Sequence, residues 1–384
     1  MKIGILGGTF SPVHNGHIEI AKIAKARLEL DKVLFIPNKV PPHKDIGKID
    51  IFHKVNMVKS AIEDIPYFDI DTFETDSDNI SYSYITLSYL SEKYKGDELY
   101  FILGADNIKQ ISNWMKPELI FKYANIVFIK RPNFVLDNSI IKKLTNLYNG
   151  KISVINFIGI DVSSTEIRKK SEEFKSLKGY VPQKVINYIY ENAIYPVKAK
   201  EKLCGMLNEK RYIHSINVAK EAYKLAKQYN ADEEKAYYAG LLHDCAKDIP
   251  LEKQFELIDK YNEYEIMEDE LEFSKVIHAL CGPIVAKKEF NVEDKEILDA
   301  IRYHTLGSIN MTMLDKIIYI ADLISEDRLY TGVEKLRELS YENIDKAIIM
   351  SIENTISYLG EDRIQKDVLR LKCHLKNNLR GDNV

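Results

Sequence analysis

Cysteine is scarce in this sequence. Cys204, Cys245, Cys281 and Cys373 are its only four, they stand far apart, and no Cys-x-x-Cys occurs. A disulfide frame is therefore not expected, and reduced thiols in a cytoplasmic protein are. An excess of either charge is also lacking: 54 Lys and Arg face 58 Asp and Glu, a net charge of −4. No global field exists to grip a nucleic acid, so none is expected as a partner, and any anionic substrate must be held by local basic residues. No apolar run approaches the roughly 20 residues that cross a bilayer, so no membrane association is expected. The opening Met1-Lys2-Ile3-Gly4-Ile5-Leu6-Gly7-Gly8 is too short an apolar stretch for a signal peptide and reads as a first strand. Internal repeats and low-complexity tracts are missing too.

What remains is a globular composition, 45% hydrophobic and 29% charged, in a chain of 384 residues. That length exceeds what one core usually organises, so two domains are expected. In the first half, short β-rich runs (2–6, 33–37, 68–73, 99–103, 126–129 and 152–155) alternate with helical patterns (17–28, 52–62, 84–94 and 182–191). Such alternation predicts a parallel sheet covered by helices on both faces, an α/β domain of Rossmann type. Residues 196–202, with Pro196 and several lysines nearby, are read as a linker between domains spanning 1–195 and 203–384. Beyond it the strand signal vanishes. The stretches 212–229, 233–246, 251–261, 274–290, 294–304, 314–324 and 343–359 follow a 3.6-residue period, which predicts an all-α domain.

Two groups of residues carry chemistry. The first is Gly7-Gly8-Thr9-Phe10-Ser11-Pro12-Val13-His14-Asn15-Gly16-His17, which follows a strand and opens a helix. Glycines there let backbone approach a ligand, and the helix N-terminus offers free N–H groups to a polyphosphate. His14 and His17, at i and i+3, can both face that ligand as donors. The segment resembles the signature of the nucleotidylyltransferase superfamily. Val162-Ser163-Ser164-Thr165-Glu166-Ile167-Arg168 is similar to that family's second motif, in which hydroxyls and an Arg hold a triphosphate. Pro41-Pro42-His43-Lys44 and Gly104-Ala105-Asp106-Asn107, with the lone Trp114, narrow the resemblance to the nicotinate-mononucleotide adenylyltransferases over residues 1–195.

That resemblance implies transfer of AMP from ATP to nicotinate mononucleotide, with Mg²⁺ accompanying the ATP. His14, His17, Lys44 and Arg168 would stabilise charge on the α-phosphate and the leaving pyrophosphate. Gly7, Gly8, Thr9, Phe10, Gly104, Asp106, Ser163, Ser164, Thr165 and Ile167 would shape the nucleotide sites. Trp114 would stack on the pyridine ring, its alternative being an ordinary half-buried Trp. Ser11 stands where Asp or Asn is frequent in the family. Ser83, in Ser81-Tyr82-Ser83-Tyr84, stands where Thr is usual. Another adenylyltransferase activity, for instance on pantetheine phosphate, stays open.

The second group is spread over separate helical segments: His214, His243-Asp244, His278, His304 and Asp322. His214 shares a stripe with Val218, Ala222 and Leu225, His304 with Ile297, Ala300 and Ile301, and Asp322 with Ile318. A single inward His is more often a satisfied core residue than a ligand. Six inward ionisable groups without a shared cation would be costly to bury. Imidazole with carboxylate suits a first-row ion such as Fe or Mn. The surroundings, including Arg211-Tyr212-Ile213-His214-Ser215, Ala239-Gly240-Leu241-Leu242-His243-Asp244 and Tyr303-His304-Thr305, resemble the HD phosphohydrolase superfamily. Within it, the similarity is to a bacterial subgroup that cleaves diadenosine tetraphosphate into two ADP.

The resemblance implies that His214, His243, Asp244 and Asp322 hold one metal. Asp244 would bridge to a second, held by His278 and His304, and the pair would activate water for attack on phosphorus. Lys247 and Arg328 would bind phosphate oxygens, against the alternative of a solvated helix face, and Thr305 would lie in the substrate site. Expected partners are thus ATP, nicotinate mononucleotide and dinucleoside polyphosphates, with a homo-oligomer left open. Hydrolysis of another nucleotide phosphate ester, or nucleotide sensing without turnover, remains an alternative for the second half.

Overall fold

The computed structural model describes residues 1–38, 49–76, 82–132, 134–160, 162–266 and 269–381. They fall into two units, one of residues 1–169 and 177–189, the other of residues 170–176 and 190 onward. In the first unit the strands are β1 (Lys2–Gly8), β2 (Lys32–Pro37), β3 (Phe68–Ile70), β4 (Glu98–Gly104), β5 (Asn125–Lys130) and β6 (Ile152–Asn156). They pair in parallel in the order β3-β2-β1-β4-β5-β6. Ile5 lies opposite Leu34 on one side and Phe101 on the other. In β2 the run Val33-Leu34-Phe35-Ile36 is buried on both faces, as a central parallel strand requires. Helices supply the cover: α1 (Asn15–Leu28), α2 (Ile51–Ile62), α3 (Phe73–Asp76), α4 (Ser83–Lys93), α5 (Pro117–Tyr123), α6 (Asn138–Tyr148), α7 (Ser164–Glu172) and α8 (Gln183–Glu191). On one face Leu87 and Leu90 of α4 and Ile120 and Phe121 of α5 join Ile3, Ile5, Phe101 and Phe128 in a core. Strand order reverses between β1 and β4, so their carboxyl ends open a crevice, the usual ligand position in such sheets.

Three expectations change. The strand expected over 68–73 stops at Ile70, because Asp71 accepts from the Phe73 N–H and from Lys93 Nζ at 2.7 Å, turning the chain into α3. The stretch 196–202, read as a linker, is helical from Val197. The Glu172 carboxylate receives the N–H groups of Val197, Lys198 and Ala199 at 2.8–3.0 Å, which caps that helix. The helix expected over 233–246 ends at Leu242, and His243-Asp244 lie in the turn that follows.

The second unit is helical throughout its described residues. Its helices are α9 (Val197–Met206), α10 (Glu209–Gln228), α11 (Glu233–Leu242), α12 (Leu251–Tyr261), α13 (Ile277–Phe290), α14 (Lys295–Tyr303), α15 (Met313–Ile324), α16 (Val333–Glu342), α17 (Ile344–Leu359) and α18 (Lys366–Gly381). No described helix is long and apolar enough to cross a membrane. Helices α10 and α11 approach closely at Gly240. A Cβ there would stand 2.9 Å from Ala219 Cα and 3.1 Å from the Val218 carbonyl oxygen, both backbone atoms of α10. Only glycine lets these helices meet so tightly, and the meeting brings His243 beside His214. Gly240→Ala is expected to destabilise the helical unit by about 1–3 kcal/mol through overpacking. Urea unfolding followed by circular dichroism measures this; an unchanged midpoint would contradict the close crossing.

Candidate functional sites

At the carboxyl ends of β1 and β4 lies a cavity of about 910 Å³. Gly7, Gly8, Thr9, His14, His17, Asp106, Trp114, Ser163, Ser164, Thr165 and Arg168 all line it. Two segments far apart in sequence are sewn together at its floor: Arg168 Nη1 donates to the Ser11 carbonyl at 2.7 Å, and Ser164 Oγ to the Pro12 carbonyl at 2.9 Å. Phe10 and Ile167, expected in the nucleotide site, are fully buried and do not line the cavity. Phe10 adopts a left-handed backbone (φ 43°), uncommon for an aromatic residue, and its ring meets the edge of His17 at 5.0 Å. Gly104 ends β4 just before Asp106. Lys44 lies outside the described residues.

His14 and His17 stack with ring centroids 3.6 Å apart. The His14 backbone N–H donates to His17 Nδ1 at 3.3 Å, so a neutral His17 carries its proton on Nε2. Burial, with the nearby Arg131 charge, pushes His14 down to about 4; burial, then His14 and Arg131, hold His17 well below its ordinary value. At neutral pH both rings are hydrogen-bond donors rather than charges. Cationic character comes from Arg168 and from Arg131, which follows the carboxyl end of β5 and also lines the cavity. Arg131 escaped the sequence reading, although an Arg directly after a β-branched strand was a usable signal.

The second site gathers side chains from α10, α13, α15 and the turns after α11 and α14. His214, His243, His278, His304 and Asp244 are buried, and Asp322 is 19% exposed at its side chain. Ligand atoms of His214, His243 and Asp322 lie within 4.8 Å of one another, as do those of His243, Asp244 and His304. His278 joins the second set, with Nε2 at 3.1 Å from Asp244 Oδ1 and 3.2 Å from His304 Nε2. Nδ1 of His243 donates to the Gly240 carbonyl and Nδ1 of His304 to that of Ile301, both at 2.7 Å. Their Nε2 lone pairs are thereby aimed inward. Burial pushes His243 and His278 down to about 4, leaving them neutral. For Asp322 burial acts upward, but His214, His243 and Arg328 outweigh it and hold the carboxyl well below its usual range.

Neutral imidazole and ionised carboxylate are the states that ligate metal. His243 Nε2, buried and without a hydrogen-bond partner among the described residues, is the atom that a cation would satisfy. The donor set therefore fits a metal pair. Cations ring it: Lys247 Nζ lies 2.9 Å from His278 Nε2, Arg328 pairs with Asp322, and Arg211 Nη1 stands 3.5 Å from Asp244 Oδ2. Thr305 Oγ1 is 3.0 Å from His304 Nε2. Sequence reading missed Asp327, whose Oδ2 meets His214 Nδ1 at 2.8 Å and fixes that ring. A carboxylate beside Arg328 was its only trace.

Two outcomes follow from the first cavity. Nothing lies within 4 Å of where a Gly7 Cβ would stand, so Gly7→Val should fold normally yet raise the KM for a nucleoside triphosphate at least about tenfold, an obstruction worth ~1.4 kcal/mol. Stability and steady-state kinetics test this together; unchanged KM would place the ligand elsewhere. His14 also makes stability depend on pH. Its folded-state value is depressed, so the unfolded chain binds the proton first, and stability falls as pH drops from about 6.5 to about 4. Unfolding free energies of wild type should fall more steeply across that window than those of His14→Gln; equal slopes would contradict a neutral, buried His14.

Comparison with known proteins finds a separate family match in each half of the chain. The cytidylyltransferase-like family model matches residues 5–170 and the HD domain model residues 211–327. A Mycoplasma genitalium protein named as a probable nicotinate-nucleotide adenylyltransferase/Ap4A hydrolase is 26% identical over 358 residues, covering 92% of this chain and 97% of its own. A probable nicotinate-nucleotide adenylyltransferase of Caldicellulosiruptor bescii is 41% identical over 196 residues, covering 51% of this chain and 99% of its own. Among solved structures, a predicted HD superfamily hydrolase involved in NAD metabolism from Clostridium acetobutylicum is 40% identical, with a TM-score of 0.45, over 47% of this chain and 96% of that one. The chain belongs to the nicotinate-nucleotide adenylyltransferase family through its first half, and joins to it an HD domain.

Proposed function

We propose that the protein is a bifunctional enzyme. Its first unit transfers AMP from ATP to nicotinate mononucleotide, and its second hydrolyses diadenosine tetraphosphate to two ADP. One observation supports the first activity above others: both phosphate-binding segments, residues 7–17 and 163–168, converge on a single cavity. In the transfer, an oxygen of the mononucleotide phosphate bonds to the α-phosphorus of ATP while the bond to the β-phosphate oxygen breaks and pyrophosphate leaves. The N–H groups at the start of α1, the His17 Nε2–H and Arg168 meet the charge that grows on those oxygens. Lys44 would add a further cation, and Mg²⁺ would accompany the triphosphate. Asp106 and Trp114, on the β4 side, suit the ribose and pyridine ring of the second nucleotide.

For the hydrolase the supporting observation is His243 Nε2, which lacks a hydrogen bond among the described residues and is shared by both ligand sets. His214, His243 and Asp322 would hold one cation, and Asp244, His278 and His304 the other, with Asp244 and His243 placed between; iron or manganese suits such donors. Two such cations supply Lewis acidity toward phosphoryl oxygens and toward water. Lys247, Arg328 and Arg211 hold non-bridging phosphate oxygens, and three separate cations suit a chain of phosphates better than a single ester.

The two activities should separate by mutation. His17→Ala is expected to lower adenylyl transfer by about 10²–10³-fold, the usual cost of one transition-state donor, with hydrolysis unchanged. His243→Ala should lower hydrolysis by more than about 100-fold, beyond the loss of an outer-sphere partner, with transfer near normal. Pyrophosphate release and ADP formation measure the pair. Loss of both activities in the His243 variant would instead favour a regulatory role for the HD unit.

A further inference from the structure

Two residues before His304, α14 carries Arg302, which is sealed from solvent together with its partner Glu270. The pair is bidentate: Nη1 donates to Oε1 and Nη2 to Oε2, both at 2.7 Å, and Nη2 also donates to the Glu265 carbonyl at 3.2 Å. One turn earlier, Asp299 accepts from Tyr264 Oη at 2.8 Å. One face of α14 thus fastens residues 264, 265 and 270 of the segment that leads from α12 into α13. That segment delivers His278 to the first turn of α13, where backbone N–H groups lack acceptors within the helix.

His278 depends on its backbone more than its neighbours do. The rings of His243 and His304 are each oriented by a carbonyl on Nδ1, whereas Nδ1 of His278 faces Lys247 Nζ at 3.2 Å. A buried ion pair is a poor source of stability, because desolvating both groups offsets their attraction and apolar replacements are often as good. Its value here is positional: it ties the segment that bears His278 to the helix that leads into His304.

We propose that Glu270 and Arg302 are positioning residues that hold His278 against His304 and Asp244, and so set the affinity of the second cation. The inference rests on the two-cation reading above. The test uses the full chain, stripped with a chelator under anaerobic conditions and titrated with Mn²⁺ by calorimetry. Wild type should bind in two steps. In Glu270→Gln and in Arg302→Lys the weaker step should loosen by about 10–100-fold, as for outer-sphere partners generally, while the tighter one stays within about twofold. Half-maximal hydrolysis should need correspondingly more Mn²⁺, with kcat largely restored at saturation. Because Glu270→Gln strands the buried Arg302 charge and Arg302→Lys gives up the two-donor fork in a sealed site, the double variant Glu270→Met/Arg302→Met serves as the second probe. It should fold and still bind the second ion weakly. Two wild-type steps in that double variant, or equal loosening of both steps in any variant, would overturn the proposal. Fewer than two steps in the wild type would remove the two-cation reading itself, and the positioning role with it.

Discussion

The second half of this chain is governed by a single electrostatic constraint. Four imidazoles and two carboxylates have been drawn from five places in the sequence into one mostly buried cluster. Taking an isolated charge out of water costs on the order of several kcal/mol even after relaxation. Protein groups meet part of that need, through Arg328, Arg211 and Lys247 around the carboxylates and backbone carbonyls behind two of the rings. They do not meet the need of His243 Nε2, which is buried and has no hydrogen bond among the described residues. A bound divalent cation would answer that need, and helices α10 to α15 form the frame that keeps its candidate ligands within reach. Gly240 permits the tight crossing of α10 and α11 in that frame.

The first half handles phosphate by other means. The strand order of its parallel sheet reverses between β1 and β4, and the crevice so formed is lined by glycine backbone, a helix N-terminus and two stacked neutral histidines. Donors fixed in place before the ligand arrives need no reorganisation when charge moves from one oxygen to another. Fixed dipoles suit an adenylyl transfer, in which the nucleophile is already an anion. Cations that acidify water suit a hydrolysis, in which the nucleophile must be generated. The chain thus joins two distinct solutions to phosphorus chemistry, each matched to the origin of its nucleophile.

Much of this was legible before any coordinates. Local backbone demands write themselves directly into sequence, so the Gly7-Gly8 turn, the His14/His17 pair and the strand–helix alternation could be read. Of the ligand-type residues, His214, His304 and Asp322 could be read because each follows the apolar spacing of its helical segment, and His243-Asp244 because it closes another apolar segment. Features set by tertiary contacts were not. Strand β3 ends early because Asp71 finds Lys93, far along the chain. Helices α5, α6, α16 and α18 were not anticipated, and α9 was taken for a linker, although Glu172 caps it from another part of the chain. Asp327 and Arg131 join the sites by proximity alone. Nothing in the sequence around Glu270 and Arg302 marks them as a buried pair.

Anomalous diffraction from crystals of the full chain grown with Mn²⁺ speaks most directly to the cation pair. Two adjacent peaks are expected in the helical unit, one bonded to His214, His243 and Asp322, the other to Asp244, His278 and His304. An absence of density there, or ions bound only at surface carboxylates, would contradict it.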